Sequence, residues 1–240
     1  MRRGTCSTVP TRPRRCGSAG DAVAVVDLSR PVATGMPVYP GDPEVAIEPA
    51  LSVEADGVAV SSLHIGSHAG THLDAPSHSV VGGRTVDRIP LELLVGRARV
   101  LRARLGTGER VGAGERIGLE QLPPGMPERL PRIVLVETGW DRHFADAEAV
   151  HHPHLALELV EELWARGTRV LGVDALSPDP TEPQESTGLP VHEFWLGGDG
   201  VIVENLTGLG DVPDEIEVSL LPLRLEGVDG SPIRAVAHVP

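Results

Sequence analysis

Apolar residues along this chain fall mostly in short runs of the length that suits strands, separated by Gly- and Pro-rich turns. Residues 22–28, 45–51, 58–65 and 97–105 read as strands, and Pro49 demotes the second of these to an edge position. Tyr39-Pro40-Gly41-Asp42-Pro43 is a turn by its Pro and Gly chemistry. The segment 106–118 repeats the text Gly-Glu-Arg followed by Val or Ile, and reads as a surface hairpin. Its Gly106 and Gly108 have the spacing of a dinucleotide loop, but no helix follows at once as that loop requires. Residues 133–137 form a compact apolar strand. Leu155, Leu159, Val160 and Leu163 then recur at helical spacing, with Gly167 where a helix-ending glycine belongs. A buried strand over 169–173 completes a strand, helix, strand unit, and 201–204 and 216–222 add further sheet material. Strands outnumber helices, and the class is α/β or α+β.

The 240 residues suit one α/β domain, with a core large enough to need neither disulfide nor structural metal. Residues 1–21 are Arg-, Ser- and Gly-rich and read as a disordered tail, leaving 22–240 as the domain. All 21 basic residues are arginine, which excludes mechanisms built on a lysine amine, including Schiff bases and the P-loop lysine. Five of these arginines precede residue 21, so residues 21–240 set 16 arginines against 34 acids. An acidic domain is a poor partner for nucleic acid. Cys6 and Cys16 both lie in the tail, so the domain has neither a disulfide framework nor a thiolate metal site. The tail lacks the apolar stretch of a secretory signal, and no run of about 18 apolar residues occurs, so no membrane span is expected. The expected location is cytoplasmic.

What remains for chemistry is histidine and carboxylate, and these concentrate in His68-Ala-Gly-Thr-His72-Leu-Asp74-Ala-Pro-Ser-His78. Imidazole and carboxylate are the donors that zinc or manganese takes when thiolates are absent. Ligand atoms about 2.1 Å from one ion lie only a few ångströms apart, whereas four extended residues span about 13 Å, so the chain must curl between His68 and His72. Gly70 supplies the freedom for that curl, and His72 and Asp74 then share one side of an extended segment. Pro76 argues against a helical zinc motif. His64 reads as a supporting or structural residue. His151, His152 and His154 read as a surface loop ahead of the helix, and Trp140, Phe194 and Trp195 are candidates for pocket lining or core.

This segment resembles the signature of the metal-dependent cyclase-like hydrolases, a family that includes bacterial kynurenine formamidases and isatin hydrolases. Further matching text is Tyr39-Pro-Gly-Asp-Pro43, Glu137-Thr-Gly-Trp140, the stretch from Gly172 to Asp179, His192, Glu204-Asn-Leu206 and the stretch from Gly230 to Ala235. The resemblance implies a swivelling β/β/α fold with a mixed sheet, assembled as a homo-oligomer, a dimer or a tetramer. It also implies a zinc ion on His68, His72 and Asp74, with a second on Asp74, His192 and Glu204. One ion, or manganese, is the variant seen in the isatin-hydrolase branch. His78 matches the proton donor and acceptor, and Tyr39 stands where formamidases carry a substrate-contacting tryptophan. Glu193 stands where they carry a second histidine after His192, and residues 180–189 form an insert on the approach to His192.

The activity implied is hydrolysis of a small-molecule carbon–nitrogen bond, an aryl formamide or a cyclic amide, by metal-activated water with His78 carrying the proton. Hydrolysis of an isatin-like lactam, and a lyase or cyclase reaction, are alternatives at the same site. A non-catalytic metal-binding module is the reading from another class.

Overall fold

Residues 24–181 and 188–239 are described from a computed structural model of the chain. The expected tail and six residues of the insert at 180–189 lie outside the described residues. The strands are β1 (Ala24–Asp27), β2 (Ala46–Leu51), β3 (Val60–His64), β4 (His72–Asp74), β5 (Val95–Arg102), β6 (Arg116–Ile117), β7 (Ile133–Glu137), β8 (His154–Leu155), β9 (Val170–Val173), β10 (Val201–Glu204), β11 (Glu215–Pro222) and β12 (Gly230–Val239). The helices are α1 (Val53–Asp56), α2 (Leu91–Leu94), α3 (Leu157–Ala165) and α4 (Pro190–Gly197).

Seven strands close on themselves in the order β12, β11, β5, β7, β9, β10, β4 and back to β12. The run β5, β7, β9 and β10 is parallel, and the remaining pairings are antiparallel. This is a mixed barrel in a single α/β domain; the mixed sheet is what the family resemblance implied, and its closure into a barrel was not anticipated. β12 serves two partners along one edge: Gly230 to Pro232 pair with β4, and Val236 to Val239 pair with β1.

Alternation along the strands divides the core in two. Ile133, Leu135, Val170, Val201 and Val203 fill the barrel with Leu73, Val218 and Ala235. Val134, Val136, Leu171, Val173 and Ile202 point outward and meet α3 and α4 through Leu159, Val160, Leu163, Val191 and Trp195. Both faces of these parallel strands are therefore buried, which is why they read as unbroken apolar runs. The outward parity of Ile202 is also that of Glu204, and the barrel-facing Leu73 leaves His72 and Asp74 on the outside. The site is built on the outer wall of the barrel, under α4.

Two expectations need correction. The segment 106–118 is not one hairpin. Arg104 and Arg110 make a single bridge around a tight turn, but β6 pairs in parallel with β8 instead. The histidine cluster is not simply a surface loop, because His152 is 2% exposed and its Nε2 lies 2.7 Å from Thr181 Oγ1.

Candidate metal centre

The curl between His68 and His72 is present. Gly70 adopts φ +65°, and its carbonyl accepts a hydrogen bond from His72 Nδ1 at 2.8 Å, which turns His72 Nε2 to the opposite side. That nitrogen lies 3.3 Å from Asp74 Oδ1 and 3.2 Å from Glu204 Oε2. Register fixes the last contact, since His72 is directly opposite Glu204 across β4 and β10. Asn205 ends β10 in the left-handed region, φ +57°, where asparagine is tolerated, and its carbonyl accepts from Thr71 Oγ1 at 2.7 Å.

His192 arrives from α4. Asp179, fully buried, accepts the backbone N–H groups of Val191 and His192 at 2.9 and 3.0 Å, satisfying the first turn of the helix from a distance. The same carboxylate takes His192 Nδ1 at 2.8 Å and leaves Nε2 3.3 Å from Glu204 Oε1 and 3.7 Å from Asp74 Oδ2. Sequence reasoning quoted Asp179 as matching text and gave it no role. Asp179→Asn should lower metal affinity on the order of 10- to 100-fold, the usual effect of losing such a partner. Titration with a competing chelator would measure it, and unchanged affinity would remove Asp179 from the support of the site.

His68 stands between two carboxylates, with Nδ1 2.7 Å from Asp74 Oδ1 and Nε2 2.9 Å from Asp229 Oδ2. His78 Nδ1 is 3.2 Å from that same Asp229 oxygen, and the His68 and His78 rings lie 4.0 Å apart. Asp229 is held down to about 2: partial burial works against this, but the hydrogen bonds from His68 and His78 outweigh it. His78 rides on a short 3-10 turn, Pro76–His78, backed by Gly83. A Cβ at Gly83 would lie 2.7 Å from the Pro76 carbonyl carbon, which is backbone and cannot swing aside. Gly83→Ala should therefore displace His78, costing on the order of 10- to 100-fold in turnover while bound metal is retained. Assay beside elemental analysis tests this, and unimpaired turnover would contradict it.

The ligand-type atoms of His68, His72 and Asp74 lie within 4.8 Å of one another, as do those of Asp74, His192 and Glu204. The structure thus brings together all five residues expected to bind metal, in two groups that share Asp74. Among the described residues, His68, His78 and Asp229 form the third such group. Asp74 Oδ2 and Glu204 Oε1 are buried with no hydrogen-bond partner, an arrangement that costs free energy unless a cation completes it. The donor set fits a divalent ion.

Protons take the place of that charge in the metal-free protein. Burial lowers the His72 and His192 pKa values, but Asp74, Asp179 and Glu204 more than reverse it, and both rise well above 6.5. Burial raises Asp74 and Glu204, and Asp74 further raises Glu204, yet the histidines pull both below their ordinary 3.8 and 4.5. The histidine contribution to stability is complete below 6.5 and is lost as pH rises through the raised values. The carboxylate contribution is complete above the ordinary values and is lost as pH falls through the lowered ones. Metal-free protein should melt highest between 4.5 and 6.5, and metal affinity should rise with pH as these protons leave. Thermal melts of chelator-treated protein across pH would show this. A melting temperature that keeps climbing through alkaline pH would contradict it.

A cleft of 370 Å³ opens onto the cluster, rimmed by Pro37, Val38, Tyr39 and Pro40 on one side and by Leu176 and Leu189 on another. Tyr39 and His78 both line it. His64, at the exposed end of β3, does not. Trp195 is core, with Nε1 donating to Val201 O at 3.0 Å, and Phe194 packs against Trp164. Trp140 donates to Glu148 O and faces a smaller cavity beside Asp174.

A family model described as "Putative cyclase" matches residues 26–180. The chain belongs to this cyclase family. It is 34% identical over 217 residues to a kynurenine formamidase of Paracidovorax citrulli (strain AAC00-1), covering 89% of this chain and 96% of that protein. Isatin hydrolase A from Labrenzia aggregata shares the fold, with a TM-score of 0.78 at 24% identity, over 91% of this chain and 94% of that one. A structure described as a potential metal-dependent hydrolase with cyclase activity matches at 28% identity and a TM-score of 0.71, over 91% of this chain and 99% of the other. The cyclase-family fold places other matched text too. Asp174 accepts from Thr138 and Gly139 and ties β9 to the end of β7, while Glu137 sits buried beside Arg104 at 2.6 Å.

Proposed function

We propose that this protein is a metal-dependent hydrolase of a carbon–nitrogen bond in an aryl formamide or a cyclic amide. The observation that carries this reading is the pair of ligand groups sharing Asp74, set beside His78 at the floor of an apolar-rimmed cleft. Its 34% identity to a kynurenine formamidase supports the reaction class.

His68, His72 and Asp74 would hold one ion, and Asp74, His192 and Glu204 a second, with zinc first and manganese next. An ion there supplies Lewis acidity, lowering the pKa of a water from 15.7 to roughly 7 and polarising a carbonyl. Asp74 and Glu204 supply the negative charge that offsets the cations. Tyr39, Pro37 and Leu176 offer an apolar surface to an aryl ring and exclude water from one side of it. His78 gives a proton from Nε2 to the departing nitrogen, which is required because an amide anion is a very poor leaving group.

The lactam variant draws support from the cleft's charge. Among its described lining residues the carboxylates are Asp42 and Glu204, and there is no arginine to receive a substrate carboxylate. An uncharged cyclic amide fits that lining better than an amino-acid formamide does. Elemental analysis of fresh protein, with N-formylkynurenine and isatin assays on the same sample, tests the proposal. Release of formate or ring opening supports the two variants in turn, and bound metal without turnover of amides, esters or lactams would favour a non-catalytic module.

The same reading takes the enzyme as a cytoplasmic homo-oligomer. β2 and β3 form a separate two-stranded arm on which Leu51, Val60 and Leu63 are exposed, with Val53 and Val58 at its tip. Such a hairpin is marginal alone, and its apolar surface favours a contact between copies.

A further inference from the structure

Asp229 stands in the bend that leads into β12, and two separated parts of the chain, Ser67-His68 and His78, converge on its carboxylate. Oδ1 accepts from Ser67 Oγ at 3.1 Å, while Oδ2 faces both His68 Nε2 at 2.9 Å and His78 Nδ1 at 3.2 Å. The backbone beneath is fixed as well. Ala75 N donates to Asp229 O at 2.8 Å, and the next residue, Gly230, pairs with Asp74. A Cβ at Gly230 would lie 2.7 Å from His68 Cε1, so the missing side chain is what lets the His68 ring rest against the start of β12.

A neutral imidazole carries one N–H, and a carboxylate can only accept. With Asp229 facing Nδ1, the His78 proton belongs on Nδ1 and the lone pair on Nε2, the nitrogen left free in a ring that lines the cleft. We propose that Asp229 is a positioning residue for proton transfer: it fixes the tautomer and orientation of His78 and couples that ring, through one shared oxygen, to His68. Its catalytic consequence rests on the hydrolysis proposed above. Nε2 takes a proton from water as the new carbon–oxygen bond forms, then delivers it to nitrogen as the carbon–nitrogen bond breaks. Nδ1–H stays on the ring throughout and Asp229 remains a carboxylate, as in other carboxylate–histidine pairs.

The test compares the zinc-loaded wild-type protein with Asp229→Asn and Asp229→Ala, at saturating zinc. Two substrates are used, formanilide, whose nitrogen must be protonated to leave, and 4-nitrophenyl formate, whose phenolate leaves unaided. We expect kcat on formanilide to fall on the order of 10²- to 10⁴-fold with little change in KM, and the amide-to-ester rate ratio to fall at least about 30-fold. Long-range ¹⁵N–¹H spectra, with His78 assigned by comparison with His78→Gln, should show Nδ1–H in the wild type and loss of that fixed tautomer in both variants. Equal losses on both substrates, or a wild-type His78 protonated on Nε2, would overturn the proposal, and the wild-type spectrum decides even where a variant does not fold. Wild-type protein inactive on both substrates would instead remove the aryl-formamide form of the hydrolase reading, leaving the spectra to judge Asp229.

Discussion

Asp74→Asn should reduce bound metal to a small fraction of the wild-type content and lower turnover on the order of 10³-fold or more. Losing a residue that merely supports a ligand costs about 10- to 100-fold in affinity, and Asp74 is shared by both ligand groups. It is fully buried, faces His68 and His72 through Oδ1 and His192 through Oδ2, and Oδ2 has no hydrogen-bond partner. An asparagine keeps the shape but loses the charge, and it turns an NH₂ group toward a ring nitrogen or a cation. Stability should separate loss of metal from loss of fold. The variant removes the charge that His68, His72 and His192 face, so metal-free Asp74→Asn should still melt cooperatively but below metal-free wild type, while the gain on adding zinc should largely disappear. Wild-type stoichiometry in Asp74→Asn would remove it from the ligand set.

His78→Ala should do the reverse, cutting kcat on the order of 10²- to 10⁴-fold while metal content stays near wild type. Its side chain is 28% exposed and meets the cluster through Asp229 and through ring contacts with His68 and His192, so its loss takes no hydrogen bond from His68, His72 or His192. Truncation opens space in the cleft and removes the group able to protonate a departing nitrogen. Parallel elemental analysis and amide turnover check this. A fully active variant would assign proton transfer elsewhere.

What was legible in the sequence follows from how local each signal is. Strands β7 and β10 match their expected limits because burial on both faces leaves an uninterrupted apolar run. β12 was not foreseen, since it opens with Gly-Ser-Pro and alternates apolar residues with Arg234 and His238. α4 escaped notice because it is eight residues long, begins at Pro190, and has its first turn satisfied by Asp179, remote in sequence. The cluster from His68 to His78 is visible because four candidate donors crowd eleven residues around a glycine. Grouping it with His192 and Glu204 came from the family resemblance, and the barrel shows the physical reason: outward parity on β10 and a helix laid over it. Asp229 carried no such signal. Its contact with His78 spans 151 residues, and no spacing rule reaches that far.

The barrel closes through β4, a strand of only three residues, held by β10 on one side and β12 on the other. Two of those three residues are His72 and Asp74. Shutting the seam and assembling the centre are therefore one event. A chain whose sheet is still open has its donors scattered, with His72 and Glu204 on separate edges. An ion bound at the closed seam would act as a rivet across the joint, on the shortest strand of the barrel.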